Sequence, residues 1–275
     1  MTGISPEEPA PPARTSAPWW RRTSRLRFFL LFAVVLLLIW EIGCRWTGVR
    51  PFIFPGPLAV WRELIADPRW LAQHASYTML STLVGFALSV VLGLLIALAI
   101  VYSKLADRTL FTTLVATNAV PKVAIAPLFV LWLGTEIESK IVIALLVSIF
   151  PMVVDSVVGL RSVDPGMIDL ARSYRGSRLQ MFWKIQLPNA LPSIFAGMKV
   201  AISLALVGTI VGEFVGSNCG LGYVIMHSQG TYNTPRVFAA ILVLAVLGTL
   251  MYQIVDFCER KAMPWHVSHR HAEDD

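Results

Sequence analysis

The sequence predicts an all-α polytopic membrane protein with about six transmembrane helices and a helical cytoplasmic loop between the fourth and the fifth. Hydrophobic residues make up 56% of the 275 residues, charged residues make up 15%, and the mean hydropathy is +0.65. The apolar residues form blocks that approach the roughly 20 residues a helix needs to cross a hydrocarbon layer about 30 Å thick. Backbone polar groups cannot stay unpaired in lipid, so these blocks should be helices, and the alternating segments of a barrel are absent from the sequence.

Six apolar blocks are the predicted membrane spans, with boundaries at 28–43, 80–102, 110–134, 141–160, 190–211 and 238–257. The third block contains Pro121, Lys122 and Pro127, and the fifth contains Lys199. Both are kept, because neighbouring helices can pair the carbonyl groups that a proline frees. The first block follows a cluster of arginines, as a signal peptide would. The segment "EIGCRW" after it offers no small-residue cleavage site, so we expect an uncleaved anchor.

The spans define one predicted membrane domain, residues 25–262, between two polar ends. Residues 1–24 include the proline-rich "SPEEPAPPARTSAP", which is typical of a disordered tail, and residues 263–275 form a polar C-terminal tail. Fifteen Lys and Arg residues fall on the side of the N-terminus and five on the opposite side. The positive-inside rule therefore places both termini in the cytoplasm. This asymmetry and anionic head groups account for the net charge of +6, which does not require a nucleic-acid partner.

The cytoplasmic loop between the fourth and fifth spans has the pattern of two short helices. Asp164 can cap a helix whose first residue is Pro165, and Gly176 is the predicted left-handed residue that ends it. One face of this helix is apolar at helical spacing, and it consists of Met167, Leu170, Ala171 and Tyr174. Ser177 and Gln180 have the spacing of a capping box and predict a second helix, which Pro188 and Pro192 should end before the fifth span opens.

Two interpretations of this loop remain open from the spacing of its residues. An apolar face with a basic rim is typical of a helix lying on anionic lipid. It is equally typical of a projection that fits a groove on a cytosolic protein.

The loop resembles the EAA loop of ABC importer permeases, whose pattern begins with Glu-Ala-Ala, has a glycine at a fixed distance and ends with Ile-x-Leu-Pro. The places are filled by Asp169, Leu170 and Ala171 at the start, Arg175 at the glycine place, and Ile185, Leu187 and Pro188 at the end. The glycine itself is displaced by one residue to Gly176. The resemblance covers roughly residues 55–257, and segments such as "PKVAIAPLFVLWLG" and "EFVGSNCGLGYVI" are similar to the nitrate/sulfonate/taurine branch of these permeases.

This resemblance implies a permease of the bacterial inner membrane that dimerises, here expected as a homodimer, and receives its solute from a periplasmic binding protein. Two ATPase subunits would dock on residues 164–188 and bind ATP and Mg²⁺. No G-x-x-x-x-G-K-[ST] segment occurs, so this chain is not expected to bind ATP in a P-loop. As the transport subunit, it is expected to carry no cofactor and no catalytic residue. The residues expected at the ATPase contact are Asp169, Ala171, Arg172, Tyr174, Arg175, Gly176, Leu179, Phe182, Trp183, Ile185, Leu187 and Pro188.

Charged residues within or beside the spans are candidates for a solute pathway. Lys122 and Lys199 are costly in lipid unless they face a water-filled path, although each could instead extend its amine to the interface. Asp155 and Glu213 could pair with them. The Gly-rich segment 216–222 after Glu213 could form a re-entrant turn or an ordinary loop. No metal-ligand spacing is found among the three cysteines.

Three other classes of protein fit the sequence less well. An intramembrane enzyme would need a nucleophile and a base at one depth, and no such arrangement is recognisable. A gradient-driven secondary transporter predicts inverted repeats, and the sequence shows no internal repeat. A scaffold protein would not need lysines inside the membrane. The resemblance favours a sulfonate, taurine or nitrate as the solute, with a pyrimidine precursor or another small organic solute as the alternative.

Overall fold

The computed structural model describes residues 20–264, without the side chains of residues 20–27, 29 and 30. This part of the chain contains helices and no β-strand. Its α-helices are α1 (Trp20–Trp46), α2 (Pro57–Ala66), α3 (Pro68–Tyr102), α4 (Lys104–Ala106), α5 (Thr112–Asn118), α6 (Ala126–Leu133), α7 (Ile137–Arg161), α8 (Pro165–Ser173), α9 (Arg178–Met181), α10 (Leu187–Val215), α11 (Leu221–Gly230) and α12 (Thr234–Ala262). Short π-helical segments at Asp107–Phe111 and Phe182–Gln186 and a 3-10 turn at Lys122–Ile125 connect some of them. The predicted all-α class is confirmed.

Within the described residues, four helical segments are long and apolar enough to cross a membrane, and there are five if one bent pair counts as a span. The four are α3, α7, the continuous segment Arg178–Val215 and α12. The bent pair comprises Lys104–Asn118 and Lys122–Leu133, which meet at 81°. The predicted third span is therefore broken. Pro121 lacks an N–H donor and has an extended backbone (φ −63°, ψ 99°), so the helix stops before it.

The predicted first span lies inside α1, a 27-residue helix that is not among these segments, so its crossing of the membrane stays a prediction. Helix α1 begins at Trp20, before residue 25, where the membrane domain was expected to start. No proline interrupts the segment from Trp20 to the apolar block, so the helix continues into it. The predictions for residues 1–19 and 265–275 lie outside the described residues.

Helix α7 lies at the centre of the fold, between α3 and α10. Small residues on α3 form the contact with α7. A Cβ atom at Gly85 would lie 2.6 Å from Ala144 Cβ, and one at Gly93 would lie 2.7 Å from Met152 Cγ, while Ser89 between them is fully buried. The spacing of four residues thus makes a packing surface on which helix backbones approach closely. This core positions both ends of the bundle.

Candidate functional site

The loop between α7 and α10 begins with the predicted helix. The N–H group of Gly166 donates a hydrogen bond of 2.7 Å to Asp164 Oδ1, so Asp164 caps α8 as expected. The end of α8 differs from the prediction. The residue with left-handed backbone is Arg175, at φ 54°, and not Gly176.

The turn after α8 is a Schellman motif centred on Arg175. The N–H of Gly176 donates to the carbonyl of Ala171 at 3.0 Å, and the N–H of Arg175 donates to the carbonyl of Arg172 at 2.9 Å. Gly176 is required for a different reason, because a Cβ atom there would lie 2.9 Å from the Ala171 carbonyl oxygen. The displaced glycine therefore leaves the turn in place and puts an arginine in a conformation that favours glycine.

The second helix of the loop starts as predicted and ends elsewhere. Ser177 and Gln180 form the full capping box, with hydrogen bonds of 3.2 Å and 2.9 Å. Pro188 and Pro192 do not end this helix, because the segment Arg178–Val215 is continuous. The π-helical turn Phe182–Gln186 lies just before Pro188, which has no N–H group to donate. The wider turn accommodates this missing hydrogen bond, so the helix continues through the proline.

Several large apolar side chains of the loop are exposed, and we call them the exposed apolar face. They are Met167, Leu170, Tyr174, Leu179 and Trp183. The exposed fractions of Tyr174, Leu179 and Trp183 are 82%, 67% and 60%. Asp169 and Arg172 are also exposed and form an ion pair of 3.3 Å beside this face, while Arg175 is exposed after α8. These predicted docking residues thus lie on α8, α9 and the turns that follow them.

Other predicted docking residues face inward. Phe182 packs against the core formed by α3, α7 and α10, and its ring lies 6.4 Å from that of Tyr102. Ala171, Ile185, Leu187 and Pro188 are half-buried, and Leu187 packs on the same core. Phe182 is also predicted to be an apolar anchor for the ATPase, and this stays a prediction. In the structure its side chain packs the loop against the membrane domain of the same chain.

Polar contacts also attach the loop to the surrounding helices. Arg161 at the end of α7 pairs with Asp107 at 2.8 Å, and Asn189 at the start of α10 donates to Ser162 Oγ at 2.9 Å. The hydroxyl of Tyr102 in α3 donates to Gln186. These contacts connect the loop and its two ends with the ends of α3, α7 and α10.

The predicted pathway residues do not pair with each other. Lys199 pairs with two carboxylates of α12, Asp256 at 2.6 Å and Glu259. Pairing of Lys199 with Asp155 or Glu213 was therefore a wrong expectation, because α12 supplies closer carboxylates. Asp155 is half-buried against Gly197, where an added Cβ atom would lie 3.1 Å from Asp155 Oδ2.

Glu213 belongs to a buried polar cluster at the start of α11. Three consecutive N–H groups there each donate to a side chain: Gly220 to His74 Nδ1 at 3.0 Å, Leu221 to Thr78 Oγ1 at 2.8 Å, and Gly222 to Glu213 Oε2 at 2.7 Å. Thr78 also donates to Glu213 Oε1 at 2.8 Å. The N-terminus of a helix leaves such donors unpaired, and a carboxylate there is favoured by the helix dipole.

The Gly-rich segment 216–222 is thus a tight connection that returns the chain to α3 and α10. Gly220 has φ +103°, and a Cβ atom there would lie 2.2 Å from the Glu213 carboxylate. Lys140 lies nearby at 0% exposure, and its amine donates to three carbonyls, those of Thr135, Glu136 (3.0 Å) and Gly216 (2.7 Å). This set of contacts fixes the end of the bundle opposite the loop.

Sequence reasoning missed His74, Thr78 and Lys140 as members of this cluster. A signal was present, because His74 and Thr78 are four residues apart and lie on one face of a helix. Their partners are more than a hundred residues away along the chain, and spacing gives no indication of that contact.

Replacing Glu213 tests the cluster. Glu213→Ala leaves the Gly222 N–H unpaired and opens a cavity, so we expect it to lower the free energy of unfolding by about 2–4 kcal/mol. Glu213→Gln should retain most of the stability, because its amide oxygen still accepts from Gly222 and Thr78 can turn its hydroxyl to the His74 carbonyl. The measurement is denaturant unfolding in detergent, with the exposed Glu138→Ala as control. Equal stability of Glu213→Ala and the control would contradict this role.

Comparisons with known proteins agree with this architecture. The chain is 34% identical over 236 residues to the formylaminopyrimidine transport permease protein ThiX of Halalkalibacterium halodurans, covering 86% of this chain and 94% of that protein. It is 33% identical to the putative aliphatic sulfonates transport permease protein SsuC of Bacillus subtilis, covering 87% and 88%. An inward-facing structure of the MetNI methionine ABC transporter matches the fold, with a TM-score of 0.62, 19% identity, and coverage of 70% of this chain and 96% of that chain.

A family model described as "binding-protein-dependent transport system inner membrane component" matches residues 89–263. That range holds the helical loop, the C-terminal part of α3, all of α7 and α10, and Glu213 with α11, while His74 and Thr78 lie before it. The chain belongs to this family of ABC importer permeases.

Proposed function

We propose that this permease couples ATP hydrolysis on a separate ATPase to movement of a small solute, with the loop at residues 164–188 as the ATPase contact. Two copies of the permease, as a homodimer, would bind two ATPase subunits, which hold ATP and Mg²⁺. A periplasmic binding protein delivers the solute. The chain lies in the bacterial inner membrane with both termini in the cytoplasm. The observation that carries the proposal is the exposed apolar face on a loop that matches the EAA pattern.

The exposed apolar face has the properties of a protein-binding surface. Tyr174 follows the last residue of α8, Leu179 lies on α9 and Trp183 lies on the π-helical turn after it. The backbone at all three is already ordered, so little conformational entropy is lost when a partner binds them. Large aromatic side chains of this kind dominate the binding energy of many interfaces. Arg172 and Arg178 at the rim add positive charge that can complement acidic side chains of the ATPase. An amphipathic helix pair of this kind fits a groove on a cytosolic protein.

The inward-facing residues explain how movement of the ATPase would reach the pathway. Phe182 packs on the bundle core, and α9 continues through the π-helical turn into α10 without a break. Tyr102 and Asp107 connect the same region to the end of α3 and to the segment after it. A shift of the loop therefore moves several spans as one body, which is the requirement for switching between two states of the bundle.

The solute class rests on resemblance. Similarity to the aliphatic sulfonates permease SsuC supports a sulfonate as the solute, while taurine and nitrate are proposed from the resemblance of the sequence segments. Similarity to the formylaminopyrimidine permease ThiX supports the second candidate, a pyrimidine precursor or other small organic solute. A gradient-driven secondary transporter remains the competing class, and it would need no exposed apolar face on this loop.

Trp183→Ala tests the ATPase contact. We expect it to weaken binding of the purified ATPase to the permease by about tenfold or more, because truncating a central aromatic residue typically costs 1–2 kcal/mol or more. Trp61→Ala is the matched control, because both tryptophans are 60% exposed and Trp61 lies on α2, outside the loop. Binding is measured by surface plasmon resonance on permease in nanodiscs. Equal affinities of the two variants would remove the loop from the contact.

Arg175→Gly tests the left-handed turn. Glycine adopts positive φ without the cost of about 1 kcal/mol that other residues incur, so this variant should slow hydrogen exchange of the Gly176 amide by about fivefold. Arg172→Gly is the control with the opposite sign, because it places glycine inside α8 and should speed exchange by a similar factor. If both substitutions change exchange in the same direction, the turn does not depend on the conformation of Arg175.

A further inference from the structure

Three lysines lie within or at the edge of the spans, and their amines have different hydrogen-bond and ion-pair partners. Lys199 pairs with two carboxylates, Asp256 and Glu259. Lys140 is fully buried and donates to three backbone carbonyls. Lys122 has neither arrangement, because among residues 20–264 no carboxylate lies within 4.0 Å of its amine.

Lys122 is placed at the break of the third span. Pro121 before it is extended, the two helical parts meet at 81°, and the position is near the middle of the segment Lys104–Leu133. Its amine donates to Asn118 Oδ1 at 2.5 Å and lies 5.7 Å from the centre of the Phe150 ring on α7. The side chain is half-buried.

These contacts satisfy only part of the ammonium group. It has three N–H donors, and Asn118 takes one of them. The ring face of Phe150 attracts a cation weakly and contributes no acceptor. A charge at membrane depth is costly without a counter-charge, and such residues usually face the bundle interior or a water-filled path. The Asn118 amide that accepts from Lys122 also carries two N–H donors of its own.

We propose that the break at residues 118–122 is an anion-selecting step of the solute path, at which Lys122 and the amide of Asn118 bind the sulfonate or carboxylate group of the solute. This inference rests on the proposed transport function and narrows it to anionic solutes. A break in a membrane helix leaves backbone and side-chain groups that can line a path, and Phe150 of α7 lies next to the Lys122 amine at this break. Lys199 has no such role, because its charge is already neutralised by α12.

Uptake by the complete complex gives the first test. Proteoliposomes hold the permease, its ATPase and its binding protein, and the probes are radiolabelled ethanesulfonate and hydroxymethylpyrimidine. Lys122→Gln should lower ATP-driven uptake of ethanesulfonate by about tenfold, while Lys122→Arg keeps it within about threefold, because only the charge-retaining variant attracts the anion. Lys104→Gln at the start of the same segment is the matched control and should transport as the unaltered protein does.

The two probes separate failure of this inference from failure of the proposed function. ATP-driven uptake of the pyrimidine without uptake of the sulfonate overturns the anion selectivity and leaves the importer in place. Equal loss of both probes in Lys122→Gln, together with loss of dimer by light scattering, shows that Lys122 pairs with the second copy, and this also overturns the inference. The inference is also overturned if Lys122→Gln takes up sulfonate as fast as the unaltered protein does.

A chemical test does not depend on the identity of the solute. Lys122→Cys is made in a protein whose Cys44, Cys219 and Cys258 are replaced by serine. We expect the new thiol to react with a membrane-impermeant, sulfonate-bearing methanethiosulfonate reagent in the complex, because the site faces water. The aminoethyl reagent, which restores a positive charge, should also restore sulfonate uptake, and the methyl reagent should not. A thiol that stays unreactive from both sides of the membrane places residue 122 in lipid or in packed protein and overturns the inference.

Discussion

The pairing of polar groups inside an apolar bundle is the constraint on which the rest of this structure depends. Lipid offers no hydrogen bonds, so a charge or an unpaired N–H group at membrane depth must find its partner within the protein. Glu213 shows the result most clearly, because its carboxylate at 1% exposure accepts from the Thr78 hydroxyl and from the Gly222 N–H near the start of α11. Lys140 and Lys199 are satisfied by backbone carbonyls and by carboxylates, respectively. These contacts fix where the chain turns back and which helices become neighbours.

The end of the bundle that carries the loop at residues 164–188 shows the converse case, in which apolar side chains are exposed to water. The helix caps of α8 and α9 and the turn at Arg175 fix the backbone of the loop. In this conformation the exposed apolar face does not pack on the core. Apolar side chains that a protein holds in water at such exposure commonly mark a binding surface. Phe182, by contrast, packs against the core formed by α3, α7 and α10 and so attaches the loop to these helices. Under the proposed function, one short segment would combine the surface for the ATPase with a connection to the spans, which is what conversion of ATPase movement into solute movement requires.

Local patterns of the sequence were sufficient for much of this account. The apolar blocks predicted the all-α class, and Asp164 and the Ser177–Gln180 pair predicted both helix starts of the loop. Long-range contacts were beyond such patterns. The partners of Lys199 lie on another span, and α11 is capped by side chains from α3, so neither follows from spacing along the chain. The left-handed position was assigned to Gly176 on residue preference, whereas the hydrogen bonds of the turn place it at Arg175.

The energy source of transport is the most direct test of the central claim, because the proposed driving force is ATP hydrolysis by an ATPase bound to the loop. The measurement is solute accumulation in proteoliposomes that contain the permease and its binding protein, with and without the ATPase, while ionophores collapse all ion gradients. The account predicts accumulation that requires both the ATPase and ATP and that persists when the gradients are gone. Accumulation without the ATPase, driven by an imposed proton or sodium gradient, would contradict it.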